Sequence, residues 1–337
     1  MATIPTSMRA VQISDYEGVA ESIKFVQAPV PRPGPGEVLV KVFAAPVNPS
    51  DLMFVRGLYG FKKPLPAFPG FEGSGTVVAA GPGMMSKFLK GKRVACAAAD
   101  AKTTGGMWSE YLVTSAQFCI PLHKNVDMEQ GAMMLVNPLT AWALMQEARQ
   151  GGHGAAVQTA AASALGKMVL RLAKRFSFSL INIVRRPAQV ELLRQAGAEH
   201  VLDSSAPGFD EHLQTLCHQL GATIGFDAVA GEMSARVLQA QPRGARLLVY
   251  GALSIEPCQT RPESLIFEEK RLEGFWLSGW LRKKNLLQKM RVSNRVQQLL
   301  ATDLKSDVQA RYSLEDAAKA VEQYAGNMTA GKVLLKP

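Results

Sequence analysis

The segment from Ala155 to Asp203 limits the possible folds of this chain more than any other. Ala155 to Ala160 is a short apolar run suited to a buried parallel strand, and Ala161-Ala162-Ser163-Ala164-Leu165-Gly166 follows as a tight loop of small residues. Leu165, Met168, Val169, Leu172, Ala173 and Phe176 then recur at the three-and-four spacing of one helical face, and Leu180 to Val184 supplies a second apolar strand. The pattern is a βαβ unit. Its small residues let the backbone approach a pyrophosphate, the helix N-terminus offers unpaired N–H groups to the charge, and Ser163 adds a hydroxyl. The loop lacks the full GxGxxG pattern, so a packed alanine-rich turn is the competing account.

Arg185-Arg186 stands directly after the second strand. A cofactor with a free ribose 2′-OH favours an acidic residue at this place, whereas a 2′-phosphate favours a cation. The planar fork of arginine suits phosphate oxygens, so the pair points to NADPH, with Arg185 first and Arg186 sharing the phosphate or stacking on the adenine. Two solvated arginines at a strand end are the alternative.

Beyond this unit the rhythm stays helix and strand. Helices are expected near Ala188 to Ala196 and Asp210 to Leu220, and strands at His200 to Leu202, Thr223 to Val229 and Ala245 to Tyr250, which argues for a doubly wound parallel sheet. Tyr250-Gly251-Ala252-Leu253 follows a strand at the end where such sheets place ligands, so these residues join the expected cofactor site. Leu272 to Trp280 reads as a last strand at the sheet edge, and an apolar edge invites a second copy, hence an expected homodimer. Ahead of all this, short runs at Val38 to Ala44, Thr76 to Ala80, Arg93 to Ala97 and Tyr111 to Val113, separated by Gly/Pro turns, read as a compact β domain. The expected division is 1–125, 126–280, and a return segment 281–337 that ends in a strand at Lys332 to Leu335.

At 337 residues the chain exceeds one comfortable core. Four cysteines far apart, without CxxC, read as free thiols in a reducing compartment. The five histidines show no metal-ligand spacing. Polar residues at Met1 to Ala10 and the lack of any long apolar run predict an intracellular protein without membrane insertion, in the cytoplasm or alternatively the mitochondrial matrix. The net charge of +10 fits a phosphorylated cofactor, an acidic carrier protein or nucleic acid. Its densest basic run, Arg282-Lys283-Lys284 with Lys289, Arg291 and Arg295, lies on an amphipathic helix whose apolar side includes Leu286, Leu287, Met290 and Leu299. A solvated helix face is the favoured reading, and no aromatic RNA-binding pattern accompanies it.

Several motifs together resemble the medium-chain dehydrogenase/reductase superfamily: Pro33-Gly34-Pro35-Gly36-Glu37-Val38-Leu39-Val40, Asn48-Pro49-Ser50-Asp51, Pro69-Gly70-Phe71-Glu72-Gly73-Ser74-Gly75, Asn137-Pro138-Leu139-Thr140-Ala141, the loop at 160–166, and Gly331-Lys332-Val333-Leu334-Leu335. The resemblance implies an α/β fold, a Rossmann doubly wound parallel sheet domain joined to a GroES-like β domain. Where the zinc enzymes of that superfamily carry Cys, His and Cys, this chain carries Asn48, Phe71 and Val136, a set that cannot replace thiolate or imidazole at zinc, so no metal is expected.

Within the zinc-free branch the chain resembles quinone oxidoreductases and, more closely, 2-enoyl thioester reductases, through Asn48 to Leu52 followed by Arg56-Gly57-Leu58-Tyr59-Gly60. This likeness implies Tyr59 as proton donor, Asn48 as a group orienting substrate or water, and Thr140 against the nicotinamide. It also implies cofactor contacts from Ala162, Ser163, Ala164 and Leu165, and a CoA or acyl-carrier thioester among the small-molecule acceptors. Many relatives have glycine where Ala164 stands, and an extra methyl there narrows the phosphate approach. Phe54, Phe61, Met107 and Trp280 are candidate pocket walls. The competing functions are a quinone reductase without tyrosine-assisted protonation and a weakly catalytic NADPH-binding structural or nucleic-acid-binding protein.

Overall fold

The structure, a computed structural model, describes residues 4–17, 22–98 and 100–337. It divides into two compact units, 1–138 with 293–337, and 139–292.

The second unit is built on six parallel strands in the spatial order His200–Asp203, Ser179–Val184, Ala155–Gln158, Ala222–Asp227, Arg246–Val249 and Arg271–Gly274. Numbered along the chain this is 3-2-1-4-5-6, the doubly wound order, with its switch point between Ala155–Gln158 and Ala222–Asp227. Near-continuous apolar strands suit a sheet covered on both faces. Ala155, Val157, Ile181 and Ile183 pack with Phe209, Leu213, Val237, Leu238 and Leu247 in one buried cluster. The helix Ala164–Arg175 buries Leu165, Met168, Val169, Leu172 and Ala173, the face its spacing predicts.

The edge strand is shorter than its apolar run suggests. Only Arg271–Gly274 pairs, and Leu277–Arg282 is a helix. Trp276, Trp280, Leu277 and Leu281 satisfy helical spacing as well as they satisfy a buried strand, an ambiguity short apolar runs carry by nature.

The first unit joins a two-stranded antiparallel ribbon, Ser7–Ile13 with Ile23–Pro29, to a seven-stranded mixed sheet. In that sheet the long strand Glu37–Pro46 pairs with Glu72–Ala80 and with Tyr111–Ser115. The C-terminal strand Lys332–Lys336 lies antiparallel to it, Leu334 opposite Pro46 and Leu335 opposite Ala45. A strand the sequence pattern did not reveal, Val308–Ser313, flanks the C-terminal one in parallel. Its sequence, Val308-Gln309-Ala310-Arg311-Tyr312-Ser313, is mostly polar, and hydrogen bonding rather than burial places it. The C-terminal return matters for the site because its register sets Lys332 down at Asn48.

Candidate active site

In the first unit a buried polar network is assembled by four distant segments. The helix Pro49–Val55 follows Asn48, whose backbone N–H donates to Asp51 Oδ2 at 2.8 Å. The other carboxylate oxygen of Asp51 accepts the Phe71 N–H at 2.9 Å. Asn48 Nδ2 donates to Glu72 Oε1 at 3.0 Å, and Glu72 Oε2 accepts the backbone N–H groups of Leu135 and Val136 at 2.8 and 2.9 Å. Lys332 Nζ donates to Asn48 Oδ1. Asn48, Asp51, Glu72 and Lys332 are all buried.

Burial sets the protonation of these groups, because removing a charge from water disfavours the charged form. Desolvation pushes Asp51 up to about 7, with two backbone N–H donors working against the rise. Desolvation also raises Glu72, against the attraction of Lys332. Lys332 is pushed down to about 8 by the same cause, opposed by Glu72 and Asp51.

The network takes up the Asn48 side chain. Its amide oxygen is held by Lys332 and its amide nitrogen by Glu72, within a buried setting, contacts that bear on its expected part in orienting substrate or water. It also gathers the three positions singled out for metal ligation around two carboxylates: Asn48 bonds Glu72 by its side chain, Val136 bonds Glu72 by its backbone, and Phe71 bonds Asp51 by its backbone. Amide, phenyl and isopropyl side chains are poor ligands for a divalent ion. Among the described residues no group of three or more His, Cys, Asp or Glu is placed to hold a metal.

Tyr59 is half-buried beside this network. Its ring lies 4.5 Å from that of Phe71, tilted at 35°, and 5.1 Å from Phe61, edge-on at 81°. Phe71 in turn meets Phe54, and Phe54 meets Tyr16, so the tyrosine is mounted on an aromatic cluster rather than on a bare turn. The 57–66 loop is pinned at its far side by Lys63, a residue sequence reasoning passed over. The Tyr16 hydroxyl donates to Lys63 O and accepts from Lys63 N–H, both at 2.8 Å, while Lys63 Nζ donates to Ala98 O at 2.9 Å and to Gly105 O. Burial pushes the Lys63 ammonium down to about 8. Phe54 and Met107 are core residues, and Trp280 is buried with its indole N–H donating to Glu147 Oε1 at 2.9 Å, so of the expected walls only Phe61 keeps partial exposure.

The second unit carries the candidate nucleotide site, at the carboxyl ends of its central strands. Thr159 Oγ1 donates to Asp227 Oδ1 at 2.8 Å and accepts from Ala228 N at 2.9 Å, tying the loops on either side of the switch point. Between them Ala160 has φ +48° and Ala230 φ +66°, a left-handed backbone that costs an L-residue roughly 1–3 kcal/mol and tends to mark functional loops. Ser163 caps the following helix, its Oγ accepting Gly166 N–H at 3.0 Å, and the N–H groups of Ala164 and Leu165 take no hydrogen bond among the described residues. A Cβ on Gly166 would meet Ala161 O at 2.4 Å, so glycine there permits the helix to close on the loop. Ala164 is an ordinary helical residue, and the strained position is Ala160.

Ala162 is buried under this loop. Thr140 is buried within the helix Asn137–Gln150. The Tyr250 hydroxyl is buried without a hydrogen-bond partner, and its pKa is raised by desolvation and by Asp227. Gly251 uses its missing side chain against Ala228, whose oxygen a Cβ would meet at 2.9 Å, and Leu253 N–H donates to Ala228 O. Arg185 and Arg186 are exposed at the end of Ser179–Val184, and neither forms an ion pair among the described residues. Open N–H donors at a helix start, an orphaned hydroxyl and two unpaired guanidinium groups fit a phosphorylated dinucleotide.

The chain is similar to several known proteins. An alcohol dehydrogenase GroES-like domain model matches residues 34–124, and a zinc-binding dehydrogenase model matches residues 164–291. The mitochondrial enoyl-[acyl-carrier-protein] reductase of Arabidopsis thaliana is 30% identical over 286 residues, covering 83% of this chain and 75% of that relative. Among solved structures, a Mesorhizobium loti protein assigned as an NADPH:quinone reductase is 38% identical, covers both chains fully and has a TM-score of 0.91. A Bacillus thuringiensis protein with the same assignment is 26% identical, covers 98% of this chain and 99% of its own, and has a TM-score of 0.87.

A GroES-like unit and a doubly wound unit with these sites define an oxidoreductase. The chain belongs to the medium-chain dehydrogenase/reductase superfamily, in its quinone and enoyl reductase part. The expected α/β fold is borne out.

Proposed function

We propose that this oxidoreductase uses NADPH, without zinc, to reduce a C=C bond conjugated to a carbonyl, with an enoyl thioester carried on CoA or an acyl carrier as acceptor. The observation that carries this reading is Tyr59 stacked on Phe71, the residue that occupies a metal-ligand position of the zinc enzymes. When bound, NADPH supplies the hydride that adds to the β-carbon. Negative charge then builds on the carbonyl oxygen, and the Tyr59 hydroxyl donates a hydrogen bond to it and a proton to the enolate. Asp51, held by the Asn48 N–H, accepts the Phe71 N–H and so fixes the residue against which Tyr59 packs. Arg185, with Arg186, takes the 2′-phosphate. The backbone of Ala162 to Leu165 takes the pyrophosphate, and Tyr250 to Leu253 with Thr140 flank the rest of the cofactor.

The test is turnover of NADPH with crotonyl-CoA, and its loss in Tyr59→Phe. A quinone as the acceptor is the second reading, favoured by the 38% identity to the Mesorhizobium protein. Quinone reduction unchanged in Tyr59→Phe, with no thioester turnover, would establish it.

We also propose a homodimer. The strand Arg271–Gly274 is an edge, and beside it Ile266 and Phe267 are 66% and 68% exposed. Light scattering should give twice the chain mass, and Phe267→Glu should halve it. Among the described residues no helix is long and apolar enough to cross a membrane. The cytoplasm is the proposed location, with the matrix suggested by the mitochondrial relatives.

A further inference from the structure

The basic run Arg282 to Arg291 does not match its expected arrangement. Leu286, Leu287 and Met290, predicted to be the buried side of an amphipathic helix, are 68%, 65% and 53% exposed. The helix Leu286–Leu299 begins without help from packing, because Asn285 and Gln288 cap it reciprocally: Gln288 N donates to Asn285 Oδ1 at 2.9 Å and Asn285 N to Gln288 Oε1 at 3.0 Å. Local chemistry therefore builds two helical turns whose aliphatic side chains are left in water. Around them Arg282, Lys283, Lys289 and Arg291 are exposed, and Lys283, Lys289 and Arg291 form no ion pair among the described residues. No acidic residue occurs from Gly274 to Thr302.

The charge selects among occupants. A second copy meeting this patch across a two-fold axis would set cation against cation. Nucleic acid would want open aromatic faces, whereas Trp280 is buried with Lys284 3.9 Å from its ring, and Trp276, the one half-exposed tryptophan here, already carries Arg282 at 4.9 Å. An aliphatic centre with a cationic rim is complementary to a helical protein surface with an apolar centre and a carboxylate rim.

We propose that Arg282 to Lys284 and the first two turns of Leu286–Leu299 form the docking surface for an acidic acyl carrier protein that delivers the substrate thioester. The proposal rests on the thioester reading above. Two substrates separate docking from chemistry: a crotonyl thioester on an acidic acyl carrier protein, and the neutral crotonyl-N-acetylcysteamine. The triple variant Lys283→Glu, Lys289→Glu, Arg291→Glu should raise KM for the carrier-bound substrate at least tenfold and leave the small thioester unchanged. The binding of the unloaded carrier, read by fluorescence anisotropy, should weaken equally, and in the wild type it should weaken as salt rises.

Leu286→Ser with Leu287→Ser, in water already, should lower carrier affinity without moving the melting temperature. Equal loss on both substrates, or carrier binding indifferent to the triple variant, would overturn the proposal. So would charge-dependent binding to phosphatidylglycerol vesicles or single-stranded RNA with none to the carrier. Charge-dependent carrier binding by a wild-type protein that turns over no thioester would instead overturn the substrate reading and leave the docking surface standing.

Discussion

The two halves of the proposed reaction are built by different physics. The nucleotide side is local: one βαβ unit supplies strand, loop, helix start and two arginines within 155–186, and its ligand groups are backbone N–H donors and exposed cations. The acceptor side is long-range: Asn48, Glu72 and Lys332 come from three segments, with a sequence separation of 284 from the first to the last, and its charges are buried. A local site tolerates change because water can replace a lost partner. A buried network does not, because water cannot replace a lost member and the remaining charges keep their burial without their full set of partners.

That difference predicts where damage falls. Lys332→Met should cause the largest loss, about 3–5 kcal/mol in denaturant unfolding, since it leaves Glu72 and Asp51 buried without their cation. Lys332→Arg should recover part of it. Tyr59→Phe removes one hydroxyl from a half-buried ring and should act on turnover far more than on stability, kcat with crotonyl-CoA falling about 100-fold or more.

Arg185→Ala with Arg186→Ala should cost about 1.5–3 kcal/mol in NADPH binding, read as a rise in its KM, with the KM for NADH unmoved. An equal effect on both cofactors would show that the arginines do not read the 2′-phosphate. Ala160→Gly relieves a left-handed alanine and should raise stability by about 1 kcal/mol or less.

The buried charges also give the comparison a pH axis. Lys63 and Lys332 are held down to about 8 from the ordinary lysine value of 10.5, so the unfolded chain binds more protons between those limits. Their contribution to stability therefore rises with pH from about 8 to 10.5 and is lost as pH falls through 8. Asp51, raised from 3.8 to about 7, acts in the other window: its contribution is full below pH 3.8 and lost as pH rises through 7. Lys63→Met should flatten the alkaline rise in urea unfolding, whereas Arg185→Ala should leave the whole profile in place.

The same contrast explains what could be read from the sequence. The nucleotide unit was legible because hydrophobic period, small-residue loop and strand-end cation are all short-range patterns, and its helix, Ala164–Arg175, begins within the expected loop at 161–166. The acceptor side was visible only as motifs. Asp51, Glu72 and Lys332 each stand inside a recognised segment, yet no spacing relates Lys332 to Asn48, because a sheet register brings them together. Asn48 was accordingly read only for its part in orienting substrate or water, and its bonds to Glu72 and Lys332 had no signal in the sequence.

Lys63 carried no signal beyond one lysine in a loop with a neighbour of the same kind. The edge segment and the basic helix failed for a different reason. Apolar spacing says that a face can be buried, not that this chain buries it, and Leu286 and Leu287 remain exposed.

The central claim is an NADPH-dependent reduction in which Tyr59 serves an enolate. The most direct test measures kcat/KM for crotonyl-CoA with NADPH and with NADH, in wild type and in Tyr59→Phe. The account predicts a strong preference for NADPH in the wild type and a loss of about 100-fold or more in kcat in the variant, at unchanged KM for NADPH. Equal use of both cofactors, or full thioester turnover without the Tyr59 hydroxyl, would contradict it.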